Sequence, residues 1–229
     1  MKVFLHLGGK VPDYRGIMRE QGDFVIEGKR IPADRVVIAE QTHSDLAHRC
    51  GEEDGGAGFG SHPQIPIADA LITDVAGLYL LIRTADCTPV LLYDEACRAV
   101  GAVHSGREGT RKNIAGKTVQ QLRQDYGIQP KDLLAWVGAG ICARHYEVDA
   151  ATWSDYHESL QAQGFSPQPA PHRHIDIGGD ICQQLAAAGI QPRNIVRQEI
   201  CTLESPHHFS WRRDGTRNRQ INLIGIEYE

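Results

Sequence analysis

Three residues of types that bind transition metals, His43, Cys87 and His104, each follow an apolar run that is typical of a buried strand. Because a sheet holds the side chains at its strand ends in place, these three distant residues could meet at one point. Two imidazoles and one thiolate with an open fourth position form a ligand set that catalytic zinc uses. Asp86, beside Cys87, could orient a ligand or move protons. Spacing alone is also compatible with two surface histidines and a buried thiol.

The same residues allow a second chemistry without a metal. In a Cys–His hydrolase, Cys87 would be the nucleophile and His104 its base, while Asp86 or another polar group would orient the histidine. Both interpretations place Asp86, Cys87 and His104 in the catalytic set. The zinc content of the protein separates them.

Composition excludes several classes of protein. The chain has 229 residues, of which 41% are hydrophobic, which suits one domain with a sizeable core. Lysine and arginine total 24 against 29 acidic residues, a formal charge of −5, so nothing predicts nucleic-acid binding. No apolar run approaches the roughly 20 residues of a membrane helix. The N-terminus is a poor signal peptide, which favours the cytoplasm.

The six cysteines are expected to be reduced thiols in that compartment. No Cys-x-x-Cys pair occurs, which argues against a zinc ribbon or a thioredoxin-type site. Cys142, after a Gly-Ala-Gly turn, is interpreted as a buried structural thiol, and His145 as a surface residue.

The elements that must position these residues follow from hydrophobic periodicity. Helices are predicted at residues 110–126, 149–163 and 176–188. Strands are predicted at residues 2–7, 36–39, 69–74, 78–82, 90–93, 99–103, 133–137, 195–200 and 221–226. Strands outnumber helices, and strands and helices rarely alternate regularly along the chain. This favours an α+β domain with mixed sheets flanked by helices. The helix that starts at residue 110 would place its N-terminus, a site suited to anions, near His104.

A set of motifs in fixed order resembles a known family. The motifs are Gln41-Thr42-His43, Ala68-Asp69-Ala70-Leu71-Ile72-Thr73, Thr84-Ala85-Asp86-Cys87-Thr88-Pro89-Val90-Leu91-Leu92-Tyr93-Asp94, Ala102-Val103-His104, Tyr146-Glu147-Val148, Cys201-Thr202 and Ser210-Trp211-Arg212-Arg213-Asp214-Gly215. Together they resemble the YfiH family, also called the multicopper polyphenol oxidase (laccase) family or peptidoglycan editing factors. The resemblance implies a single α+β domain over residues 1–229, with the segment 1–35 shortened relative to the family.

The resemblance also implies a function. It implies zinc held by His43, Cys87 and His104, and phosphorolysis of purine nucleosides such as adenosine, inosine and methylthioadenosine, with adenosine deamination as a second activity. Copper is less expected, because multicopper electron transfer requires many paired histidines and a blue-copper cysteine. The expected partners are a nucleoside and phosphate, with no nucleic acid and no membrane, and the chain would be a monomer or homodimer.

One departure from the family concerns phosphate binding, for which Arg83, Arg107 and Arg212 are the candidates. Arg107 replaces the family's tryptophan, and Glu108 replaces its arginine. A carboxylate at this position would repel phosphate unless Arg107 compensates. Two alternatives therefore stay open. One is a metal-free Cys–His amidohydrolase acting on a cell-wall precursor, and the other is a metal-binding paralogue with altered catalysis.

Overall fold

The computed structural model describes residues 1–20 and 22–228 of the chain. The helices of this part are α1 (Tyr14–Glu20), α2 (Arg107–Arg111), α3 (Ile114–Tyr126), α4 (Ala150–Ala162), α5 (Ile177–Ala187) and α6 (Trp211–Asp214). Its strands are β1 (Lys2–Leu7), β2 (Phe24–Ile26), β3 (Lys29–Ile31), β4 (Val36–Ile38), β5 (Ala47–Arg49), β6 (Ala70–Thr73), β7 (Tyr79–Thr84), β8 (Thr88–Asp94), β9 (Val100–Ser105), β10 (Leu133–Val137), β11 (Ile195–Arg197) and β12 (Gln220–Glu227).

Two mixed sheets pack face to face at the centre of the molecule. One has the strand order β1-β12-β7-β4 and the other β11-β10-β8-β9-β6-β5. Because side chains alternate along a strand, every second residue of each sheet enters the space between them. These include Leu71, Leu91 and Ala102 from the larger sheet and Leu80, Ile82 and Ile224 from the smaller one.

The outer face of each sheet is also covered, which explains the continuous apolar runs in the sequence. Helices α3, α4 and α5 cover the larger sheet, with Val119, Tyr156 and Ile181 fully buried against it. The β2–β3 hairpin covers the smaller sheet, where Phe24 and Ile31 are buried. The predicted α+β domain with mixed sheets and flanking helices is confirmed. No helix in the described residues is long and apolar enough to cross a membrane.

The helix predicted at residues 110–126 is wrong at its start. A separate short helix, α2, begins after Gly106, and the chain then bends at Asn113, whose φ is +61°. The Asn113 side chain accepts a hydrogen bond from the Gly116 amide and caps α3. The left-handed residue interrupts the helix, so the helix end nearest His104 belongs to the five-residue α2.

Candidate active site

Three separate segments bring the candidate metal ligands together. His43 lies in the loop after β4 with a φ of +61°, Cys87 lies in the tight connection between β7 and β8, and His104 lies within β9. The potential ligand atoms of the three side chains all lie within 4.8 Å of one another. Cys87 Sγ is 3.7 Å from His43 Nε2, and the two imidazole centroids are 5.0 Å apart. This cluster of two nitrogens and one sulfur could hold a metal ion.

A buried carboxylate, Asp69, orients both histidines. Its Oδ1 accepts hydrogen bonds from His104 Nδ1 at 2.7 Å and from the His43 amide at 3.1 Å. Its Oδ2 accepts from the Thr42 amide, and from the Ser44 amide and hydroxyl. With Nδ1 of His104 donating to Asp69, Nε2 is the nitrogen left for a metal. Asp69 was not among the site residues predicted from the sequence, although its position as an acid directly before an apolar strand was a signal for it.

The charges of this cluster reinforce one another. Burial opposes ionisation of Cys87, yet His104 and His43 lower the pKa of its thiol. Burial likewise opposes the charged form of His104, yet Cys87 and Asp69 raise its pKa. Burial alone would raise the pKa of Asp69, but the hydrogen bonds that His104 and Ser44 donate to its carboxylate lower the pKa to about 2. A thiolate is therefore favoured at Cys87, as both metal binding and nucleophilic chemistry require.

The cluster opens into a cavity of about 700 Å³ whose wall is rich in arginine. The arginines of the wall are Arg15, Arg83, Arg107, Arg212, Arg217 and Arg219. The wall also contains one acid, Asp86, and the aromatic side chains of Tyr146 and Trp211. Within the described residues, only Arg107 of the six has a carboxylate within ion-pair distance. Such a concave, positively charged surface favours an anionic ligand.

The three arginines predicted to bind phosphate all line this cavity, but they differ in how many of their hydrogen-bond donors are already bound to protein acceptors. Arg83 is fixed by protein acceptors, with Nη2 donating to the Ala39 carbonyl at 2.7 Å. Arg212 lies over the Tyr146 ring at 5.2 Å and donates one hydrogen bond to the Glu147 carbonyl. Arg212 therefore retains more unsatisfied donors for a ligand than Arg83 does.

Asp86 ties two segments of the cavity wall together. Its Oδ1 accepts from the Thr202 hydroxyl at 2.6 Å and its Oδ2 from the Arg212 amide at 2.7 Å. Its backbone carbonyl accepts from the Ile141 amide at 2.9 Å. In the described part of the chain its carboxylate bonds neither histidine of the cluster, so this geometry favours positioning of the wall.

Glu108 does not enter the cavity wall. Its carboxylate accepts from Arg107 Nε at 3.2 Å and from Arg111 Nε at 3.1 Å. Burial raises the pKa of Glu108, but the bonds from Arg111 and Arg107 outweigh it and lower the pKa. The negative charge is thus compensated locally, and the expected repulsion of phosphate loses its structural basis.

One His-x-His pair, His172 and His174, does occur in the chain, but at the surface. Neither residue belongs to a cluster that could hold a metal in the described residues. The paired-histidine arrangement of multicopper electron transfer is therefore not formed there.

Comparison with known proteins places these features in a family context. The family model described as multi-copper polyphenol oxidoreductase laccase matches residues 4–227. Purine nucleoside phosphorylase ORF3 of Streptomyces griseus is 32% identical over 231 residues, covering 97% of this chain and 87% of that protein. A protein of Corynebacterium glutamicum, also named a purine nucleoside phosphorylase, is 33% identical over 86% of this chain and 76% of its own length.

Solved structures show the same fold. The crystal structure of YlmD from Geobacillus stearothermophilus superposes with a TM-score of 0.79 at 31% identity, covering 86% of this chain and 76% of that one. The Bacillus licheniformis protein YfiH gives a TM-score of 0.77 at 29% identity, with 85% and 75% covered.

Proposed function

The chain belongs to the multi-copper polyphenol oxidoreductase laccase family, and we propose that it is a zinc-dependent purine nucleoside phosphorylase. The observation that carries the proposal is a metal-competent cluster at the base of an arginine-lined cavity. The names of relatives about 30% identical over most of the chain support the same reaction.

The donor set fits the proposed metal. His43, Cys87 and His104 would hold it, with Asp69 fixing the His104 tautomer. A bound ion would supply Lewis-acid polarisation of the reacting group of the substrate. Zinc is preferred to copper because phosphorolysis involves no change of oxidation state, and one thiolate with two imidazoles suits zinc.

The cavity supplies the remaining requirements of phosphorolysis. An oxygen of phosphate must bond to C1′ of the ribose while the bond from C1′ to the purine nitrogen breaks, and the purine leaves with a proton. Arg107 and Arg212 would bind the phosphate and hold it in line with that bond. Tyr146 and Trp211 offer flat apolar surfaces for the purine.

Adenosine deamination is the proposed second activity of the same site. Three protein ligands leave a fourth position for a reacting group, as in zinc deaminases, where the oxygen of water bonds to C6 of adenine and the C6 amino group leaves as ammonia. Asp86 is the nearest acid in sequence to Cys87, but its engaged oxygens favour a positioning role over proton transfer.

The test uses protein purified without a histidine tag. Zinc is quantified, and adenosine and inosine are incubated with and without phosphate, with products separated by chromatography. We expect free base and ribose 1-phosphate only with phosphate, and inosine from adenosine in both conditions. Absence of turnover of both nucleosides would refute the proposal.

Alkylation by iodoacetamide distinguishes the zinc-enzyme hypothesis from the hypothesis of a metal-free amidohydrolase. A zinc-bound Cys87 thiolate should be protected until the metal is chelated, whereas a free catalytic thiolate should react at once. Cys97, which is partly exposed and outside the metal-competent clusters, serves as the internal control. Immediate stoichiometric modification of Cys87 would favour the amidohydrolase.

A further inference from the structure

A second group of metal-binding side chains lies outside the candidate active site. Cys142, His145, Cys201 and Glu204 place one ligand atom each within 4.8 Å of all the others. They come from two similar turns, Cys142-x-x-His145 and Cys201-x-x-Glu204. Three of the four, Cys142, Cys201 and Glu204, line a separate depression of about 300 Å³, which shares the wall residue Ile141 with the arginine-rich cavity.

The distances from His145 Nδ1 to the other three ligand atoms match tetrahedral coordination. His145 Nδ1 lies 3.3 Å from Cys142 Sγ, 3.6 Å from Cys201 Sγ and 3.5 Å from Glu204 Oε1. Usual zinc–ligand bond lengths in a tetrahedron predict roughly 3.6 Å between sulfur and nitrogen and roughly 3.3 Å between nitrogen and oxygen. The side chains therefore need little rearrangement to surround one ion.

The backbone fixes the two turns against each other. Gly140 and Cys201 form a parallel bridge, and the Thr202 amide donates to the Gly140 carbonyl at 3.0 Å. Each turn is closed by a bond onto its cysteine carbonyl, from the His145 amide at 3.0 Å and the Ser205 amide at 2.9 Å. The ligand positions are thus preorganised by main-chain contacts.

One further contact concerns the Glu204 carboxylate. Arg144 donates to Glu204 Oε1 at 2.9 Å, but its side chain is 73% exposed and this surface ion pair is weak. The carboxylate can exchange that partner for a metal.

We propose that Cys142, His145, Cys201 and Glu204 form a structural site for a thiol-binding divalent metal, with zinc as the expected ion. The residues next to Cys142 and Cys201 in sequence show which part of the protein the metal ion would stabilise. Ile141, next to Cys142, donates its amide to the Asp86 carbonyl, and Thr202, next to Cys201, donates its hydroxyl to the Asp86 carboxylate. The ion would hold together the two segments that support Asp86 and the Arg212 side of the cavity.

A third group, His48, Cys50 and Asp54, is less suited to a metal. Cys50 is buried, and Asp54 Oδ2 already accepts bonds from the Gly51 amide and from His48. It also supplies three ligands where the proposed structural site has four.

The experiment measures metal per chain by mass spectrometry on untagged, reduced protein after loading with zinc and gel filtration. We expect about two zinc ions per wild-type chain. The Cys142→Ser/Cys201→Ser variant and the Cys87→Ala variant should each retain one, and the combined variant none. Cys97→Ser is the matched control and should retain the wild-type content. Wild-type zinc content in the Cys142→Ser/Cys201→Ser variant would overturn the proposal.

Two surface variants keep the test decisive if the double variant does not fold. His145→Gln and Glu204→Gln alter partly exposed ligands and keep both thiols. Circular dichroism confirms folding, and competition with a chelator should show about tenfold weaker binding of one zinc ion. Unchanged affinity for both ions in the two folded variants would overturn the proposal. Because the measurement counts metal and needs no substrate, its failure is distinguishable from failure of the phosphorylase proposal.

Discussion

Replacing Asp69 by asparagine exchanges one carboxylate oxygen for an amide nitrogen, and we expect this small change to weaken metal binding strongly. Asp69 is fully buried, and its Oδ1 accepts from His104 Nδ1 while its Oδ2 accepts from Ser44 and Thr42. If the new amide nitrogen takes the Oδ2 position, the backbone amides of Thr42 and Ser44 lose their acceptor, which costs about 1–3 kcal/mol for each of the two. If it takes the Oδ1 position, it donates to His104 Nδ1 and selects the tautomer that cannot coordinate through Nε2.

Either orientation should weaken the site, the first by releasing the loop that carries His43 and the second by changing the His104 tautomer. We expect zinc affinity to fall about 10- to 100-fold, which is about 1.4–2.7 kcal/mol, and the free energy of unfolding to fall by about 2–4 kcal/mol. The affinity is measured by competition with a chromophoric chelator, and stability by urea denaturation of the metal-free protein.

The matched control is Asp94→Asn. Asp94 is also fully buried and accepts from the Arg98 amide at 2.7 Å, but it belongs to no metal-competent cluster in the described residues. This variant should lose stability and keep the affinity of the His43 cluster for zinc. Wild-type zinc affinity in a folded Asp69→Asn protein would refute the argument that Asp69 sets the histidine tautomer.

Three further predictions concern the cavity and the core. Arg212→Ala should raise the phosphate KM about 10-fold in steady-state assays, whereas Arg193→Ala, an exposed arginine outside the cavity, should leave it unchanged. Glu108→Arg should leave the phosphate KM within about twofold, because Glu108 itself lies outside the lining of the cavity, and should cost about 0.5–1 kcal/mol in urea denaturation through the lost ion pairs with Arg107 and Arg111. A large fall in KM would contradict this. Burial raises the pKa of Asp180 to about 6, so the folded state binds its proton more tightly than the unfolded state. Stability should therefore fall by about 3 kcal/mol as pH rises from 4 through 6, and Asp180→Asn should remove this dependence.

The sequence predicted the framework because its strands are long and buried on both faces. The runs that became β7, β8 and β9 were recognisable, and with them the approximate positions of Cys87 and His104. The three-residue strands β2, β3 and β5 escaped prediction because so short a stretch has no clear period, whereas the equally short β4 and β11 were predicted as parts of the longer stretches 36–39 and 195–200.

The site was only partly predictable, because convergence of loops is a property of the tertiary structure. Cys142 and His145 were interpreted singly, as a structural thiol and a surface residue. Only the folded chain brings them beside Cys201, which is 59 residues away from Cys142. The shortened segment 1–35 and the monomeric or dimeric state stay predictions.

The five hydrogen bonds gathered on the Asp69 carboxylate have a consequence for how such a site can decay. The Asp69 carboxylate holds both the loop that carries His43 and the ring of His104, so a mutation of Asp69 releases two of the three ligands at once. In descendants of this protein, metal binding should therefore be lost in a single mutational step, without an intermediate that keeps two of the three ligands in place. A lineage in which position 69 is no longer acidic should show positions 43 and 104 drifting together.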